Sequence, residues 1–159
     1  MHLTKSITAI SLGALVIATA GFAAGHSDKA AAAAVGARHA QMQLIAYHTG
    51  ILGGMAKGEA EYDAEKAKVA ASNLHAAATL DTSTMWIEGT ENGMVEGSDA
   101  KAEVWTDAEG FASKLENLQT ASAAMMDAAG TDLDALKAGM GNLGKACGAC
   151  HDDYRVPKS

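Results

Sequence analysis

Proline is nearly absent from this sequence. The only one among 159 residues is Pro157, so nothing before the last few residues forces a helix to stop or kink. β-Branched residues are thinly spread and no strand pattern is visible, which leaves nothing to build a sheet from. Cysteine is almost as scarce. Cys147 and Cys150 are the only two, whereas a structural zinc site needs four ligands and usually a second cluster. Lys and Arg number 12 against 19 Asp and Glu, a balance that argues against nucleic acid or an anionic membrane surface as partner. No apolar stretch reaches the ~20 residues that a spanning helix requires. What is left is a chain rich in alanine and other good helix formers, and it reads as all-α.

The two cysteines fall in one run, Cys147-Gly148-Ala149-Cys150-His151, close to the C-terminus. C-x-x-C-H is the covalent attachment signature of a c-type haem. Two thiols three residues apart project from one side of a helical turn, where each can add to a vinyl group of the same porphyrin. His151, one position further round, can offer an imidazole nitrogen to the iron. A thioredoxin-type redox pair would want a strand–helix–strand context, zinc lacks its remaining ligands, and a plain disulfide leaves His151 unexplained. One covalently attached haem c is the expectation. Residues 152–159 contain no Met, His or Cys, so a ligand on the other face of the iron has to come from upstream.

The N-terminus reads as a secretory signal over residues 1–23. His2 and Lys5 form a short polar start, Ile7 to Ala20 is apolar, and small residues follow up to Ala23, which fits cleavage after Ala23 or Ala20. The competing reading, a retained membrane anchor, is weakened by the length of the apolar stretch and by the lack of an aromatic or basic flank after it. Export places the expected haem in the periplasm, and thioether bonds then consume both cysteines. Residues 24–159 form one domain by size. Lys5 is the only charged residue in the signal, so the formal charge of −7 becomes −8 once it is removed. An acidic protein of this kind more readily meets a basic patch on a partner.

Four helices and one long loop are expected. The first runs from about Asp28 to Lys57, with Ser27 as N-cap and Gly58 as stop. Its core stripe is Val35, Arg38, Met42, Ile45, Thr49, Leu52 and Ala56, and a second stripe through Leu44, Tyr47, Ile51 and Met55 widens the apolar arc toward a second subunit. Gly50, Gly53 and Gly54 point to close helix approach or to a break near Gly53. The second helix covers about Asp63 to Thr79. Residues 81–100 form a loop anchored by Met85, Trp86, Ile87, Met94 and Val95, with Trp86 as its main pin. Thr106-x-x-Glu109 and Thr131-x-x-Asp134 read as capping boxes that open the third and fourth helices. Along the fourth, Leu133, Leu136, Met140, Leu143, Cys147, Cys150 and Tyr154 alternate steps of three and four residues. The haem cysteines thus continue the stripe that faces the bundle interior, and the porphyrin lies inside an antiparallel four-helix bundle near the C-terminal helix. No other internal repeat is present.

At this point the sequence resembles the cytochrome c′ family. The resemblance spans essentially all of residues 24–159. It rests on Arg38-x-x-x-Met42, Gly50 and Met55-Ala56-Lys57-Gly58, Val104-Trp105-Thr106-Asp107, and the terminal Cys147-x-x-Cys150-His151-Asp152-Asp153-Tyr154-Arg155. It implies Cys147 and Cys150 as thioether attachments, His151 as proximal ligand, Arg38 against a haem propionate, Arg155 beside the proximal histidine, and Met42 on the distal side. The residues themselves agree on Arg38: one turn before Met42 on a core stripe, an arginine is costly unless an acid pairs with it.

The family divides at the distal residue. Many members leave the iron five-coordinate and bind nitric oxide or carbon monoxide, while low-spin relatives use a methionine as sixth ligand and act as electron carriers. Met42 is compatible with both. The expected function is a periplasmic one-electron carrier, with gas binding as the alternative and an enzyme least favoured, since Met42 and Ile45 stand where peroxide cleavage would want an acid or a histidine. His39, His48 and His75 read as helix-surface histidines, and the remaining methionines as packing. Partners implied are an unidentified redox protein, a diatomic gas and a second copy through the first two helices, with neither nucleic acid nor stable membrane insertion after processing.

Overall fold

Leucine, methionine and alanine at three- and four-residue spacing fold into five helices in the computed structural model, which describes residues 20–157. They are α1 (Ala20–Lys57), α2 (Ala64–Ala78), the single turn α3 (Glu103–Thr106), α4 (Ala108–Ala129) and α5 (Leu133–Tyr154). The four long helices form the bundle, with α1 beside α2, α2 beside α4 and α4 beside α5, while α5 meets α1 more sparsely. Most of the expected signal segment, residues 1–19, lies outside the described residues. Residues 20–23 are the start of α1, which therefore crosses the expected domain boundary.

Helix ends follow charge and hydrogen-bonding chemistry more closely than the sequence reading did. Ser27 and Asp28 lie inside α1 rather than at its start; no proline precedes them in the helix, and it runs through Gly21 and Gly25. Gly58 ends α1 as expected. Its φ of +76° lets Gly58 N–H reach Met55 O at 3.1 Å and Glu59 N–H reach Gly54 O at 2.9 Å, a Schellman closure that a side chain at Gly58 would strain. No break occurs at Gly53. Only Gly53 of the three glycines has a neighbour where a Cβ would stand, the Met140 methyl at 3.5 Å.

Both threonine capping boxes are displaced by one residue. The caps are Asp107, whose carboxylate accepts from Gly110 N–H at 3.3 Å, and Asp132, which accepts from Ala135 N–H at 2.8 Å. Thr106 and Thr131 instead donate backwards, to Ala102 O at 3.4 Å and Asp127 O at 2.9 Å. Where Thr and Asp adjoin, the charged acceptor takes the helix N–H groups and the hydroxyl satisfies the preceding turn.

Leu52, Leu74, Met125, Leu136 and Leu143 are fully buried and define the core, with Ala67, Ala70, Ala71, Ala77 and Ala78 letting α2 lie close to its neighbours. The wide arc of α1 is resolved into two surfaces. Met55 is buried and Ile51 half-buried, but Leu44 and Tyr47 are 52% and 65% exposed. In the loop, Trp86 is a pin, while Ile87 and Met94 are exposed rather than anchoring.

Candidate haem site

The last three turns of α5 carry the chemistry. Cys147, Cys150 and His151 are half-buried, and Tyr154, one turn on, is buried. Two adjoining cavities open beside them, of about 110 and 360 Å³. Both are lined by Met42 of α1, Leu115 of α4, Cys150 and His151 of α5, and Asp99 and Arg155. The smaller adds Val35, Arg38, Trp86, Phe111 and Tyr154, the larger Ile45, Lys114, Leu118 and Cys147. Together they make one apolar cleft where α1 and α5 stand apart, of a size that suits a large planar ligand.

Arg38 is only 4% exposed. Its Nη2 donates to Thr90 O at 3.1 Å and to Thr90 Oγ1 at 3.0 Å, and its guanidinium carbon stands 4.7 Å from the centre of the Trp86 ring. Burial pulls its pKa below the usual arginine range. Nη1 is buried without any hydrogen-bond partner, an arrangement that is costly unless an acceptor arrives. A propionate is such an acceptor, and by that test the residues present fit a haem.

The loop that presents Thr90 is highly organised. Ser98 Oγ donates to Thr90 O at 2.6 Å, Thr90 Oγ1 to Ile87 O at 2.6 Å, and Asn92 Nδ2 to Ser98 O at 2.8 Å. Gly97, at φ +78° beside His39, gives the loop its last sharp turn. The loop then ties itself to the end of α5. Ala100 and Arg155 form an isolated antiparallel bridge. Lys101 N–H donates to Tyr154 O at 3.0 Å, and Val156 N–H to Asp99 O at 2.8 Å. Thr90 and Ser98, both buried, were not singled out from sequence, where small hydroxyl residues in a Gly-rich loop look like solvent-facing turns.

Tyr154 closes the arrangement from the α4 side. Its hydroxyl donates to Asp107 Oδ2 at 2.6 Å, so Asp107 both caps α4 and holds α5. That bond, with burial adding to it, pushes the phenol up to about 12. Phe111 packs edge-on between Trp86 and Tyr154, with ring centroids at 4.7 and 5.2 Å. Burial, with the Arg155 charge in support and Asp152 opposing, lowers the His151 pKa, which favours the neutral imidazole that can ligate a metal. Burial also pushes both thiols up.

The three helix histidines singled out from the sequence occupy different places. His39 is exposed at the rim of the smaller cavity. His48 faces α2, away from the cleft. His75 Nδ1 lies 2.9 Å from Ser122 Oγ and ties α2 to α4.

Residues 33–155 match the family described as Cytochrome C'. The chain belongs to the cytochrome c′ family. Among its relatives, cytochrome c-554 of Cereibacter sphaeroides is 46% identical over 118 residues, covering 74% of this chain and 89% of that protein. The solved cytochrome c' from Rhodobacter Spheriodes superposes with a TM-score of 0.78 at 41% identity, covering 80% of this chain and 98% of that one. A nitric oxide complex of a mutant cytochrome c prime from Alcaligenes xylosoxidans superposes at 0.69 with 36% identity, over 79% of this chain and 94% of that one. The cofactor of this cytochrome is thus covalently attached haem c, and its fold is the antiparallel four-helix bundle of the family.

Proposed function

We propose that this cytochrome c′ homologue carries single electrons, with Met42 closing the far side of the iron. One observation carries the reading: among the described residues Met42 is the only methionine lining the cleft, it lines both halves, and it comes from α1 whereas His151 comes from α5. When bound, the haem supplies a centre that cycles between two oxidation states. The chain does the rest. Cys147 and Cys150 hold the porphyrin by thioether bonds, His151 ligates the iron, Arg38 receives a propionate, and Arg155 adds positive charge beside His151. Met42 and Ile45 exclude water and offer no proton donor or acceptor of their own, which supports carriage over catalysis.

Residues 1–23 act as a cleaved export signal and the protein works in the periplasm; no helix among the described residues is long and apolar enough to cross a membrane. Exposed Leu44, Tyr47, Val69 and Leu80 form one α1/α2 face that supports a homodimer. A second reading, nitric oxide or carbon monoxide binding, is favoured by the nitric oxide complex of the Alcaligenes xylosoxidans relative.

Optical spectra of both oxidation states, with and without carbon monoxide, separate the two. Ligation by Met42 gives a six-coordinate low-spin spectrum and slow carbon monoxide binding, and Met42→Ala converts it to a five-coordinate one that binds the gas fast. A wild-type spectrum that is already high-spin, with fast gas binding, would select the second reading.

A further inference from the structure

We propose that the processed chain opens on a Cu(II) site made of its α-amine, the amide nitrogens of Gly25 and His26, and the His26 imidazole; this rests on the export reading above. Cleavage after Ala23 leaves a chain that begins Ala24-Gly25-His26. A histidine third from a free α-amine closes adjoining small chelate rings: amine to Gly25 nitrogen, Gly25 nitrogen to His26 nitrogen, and that nitrogen to its own ring Nδ1. Four nitrogens in one plane are the donor set that suits Cu(II), and Ni(II) after it. Mg(II) and Ca(II) want oxygen ligands and find none in it. Register is strict. A chain cut after Ala20 instead has Ala23 in third place and no such ring.

The backbone can supply its two nitrogens because processing cuts through a helix. α1 runs from Ala20, so its hydrogen-bond pattern gives the amides of Gly25 and His26 the carbonyls of Gly21 and Phe22. Removal of residues 1–23 takes those carbonyls away, and the two N–H groups join the orphan donors of a helix start. Giving up their protons to a metal then costs the fold neither of those bonds. Gly25 has no Cβ to resist the flat backbone of the chelate, and Ser27 is a preferred N-cap from which the helix restarts directly behind it. The site also stands clear of the bundle. Residues 27–30 are exposed, and Ala34 is the first buried residue after His26, about 12 Å further along the helix at its ordinary rise. Binding displaces both amide protons and the proton of the terminal ammonium, whose ordinary pKa is ~8, so affinity rises with pH.

The test uses the exported, haem-loaded protein. Mass spectrometry first reads its N-terminus, which should be Ala24. Retention of residues 1–23 overturns the export reading itself, whereas cleavage after Ala20 keeps export and overturns the site alone. Cu(II), added as its glycine complex, should then bind at one ion per chain, and its EPR signal should carry hyperfine splitting from four nitrogens. His26→Ala should weaken the affinity by more than about a hundredfold, above what outer-shell partners of a metal contribute. Gly25→Pro keeps the histidine but leaves no proton on that nitrogen to displace, and should weaken binding as much. Both variants should keep the wild-type haem spectrum, and the mass of each confirms where it was cut. Acetylation of the terminal amine in the wild type should abolish the four-nitrogen signal without touching the export sequence. A wild type that starts at Ala24 and shows no such signal overturns the proposal. Binding that survives all three changes does so too, and hands the ion to the other histidines.

Discussion

Arg38 reaches the cleft with one nitrogen committed and one free. Nη2 is held by Thr90, while Nη1 is buried and unpartnered. If a propionate pairs with Nη1, Arg38→Leu would strand it together with the Thr90 acceptors and should cost on the order of 1–3 kcal/mol of unfolding free energy, measured by denaturant titration. Loss of a cation near the iron also stabilises the oxidised state, so the reduction potential should fall, with Arg38→Lys recovering part of it. Unchanged potential and stability would mean that no propionate lies at Arg38. Tyr154 makes a second prediction. Its folded pKa of about 12 exceeds the ~10 of a free phenol, so the fold favours the protonated form. That stability is present in full below pH ~10 and is lost as pH rises through the folded value. Tyr154→Phe should therefore flatten the decline of thermal stability in that alkaline window, and phenolate absorbance in the wild type should rise late for one tyrosine. An identical decline in both proteins would show that the Asp107 bond contributes nothing.

Gly110 sits where α4 begins and α5 ends. An added Cβ there would fall on the Asp107 carboxylate and the Tyr154 hydroxyl. Gly110→Ala should destabilise the protein by about 1–3 kcal/mol through overpacking and return the Tyr154 phenol toward its ordinary range. Loss of stability without the phenol shift would place the strain elsewhere in the turn. At this scale the sequence was legible wherever a single periodicity ruled. The α5 stripe from Leu133 to Tyr154, the Gly58 stop and the Trp86 pin could all be read from spacing and residue type. Competition between neighbours was not legible. Thr106-Asp107 and Thr131-Asp132 each offer two capping groups, and only the folded chain shows that the carboxylate caps while the hydroxyl turns back. The start of α1 was missed as well, since Ser27 and Asp28 are good caps but the helix begins before them, at Ala20, and runs through two glycines. Thr90, Ser98 and the Ala100–Arg155 bridge depend on contacts across the whole fold, which no local pattern announces.

The molecule presents one apolar face, on α1 and α2, with Val69 61% and Tyr47 65% exposed. If a second copy covers it, Val69→Lys should shift the sedimentation behaviour from dimer to monomer while leaving the haem spectrum intact. A wild type that sediments as a monomer at high concentration would leave that face without its occupant. The bundle also has an asymmetry in how its parts find one another. α4 and α5 are joined by only three residues, 130–132, so this hairpin closes locally and carries Cys147, Cys150 and His151 with it. α1, which brings Arg38 and Met42, is the helix furthest from them along the chain, and closing that long loop costs more entropy and time. Refolding should therefore pass through a stage in which the iron already has its histidine while its other side is open to any base in solution, and added imidazole should slow the final phase. The helix that brings Met42 should therefore dock after the one that brings His151.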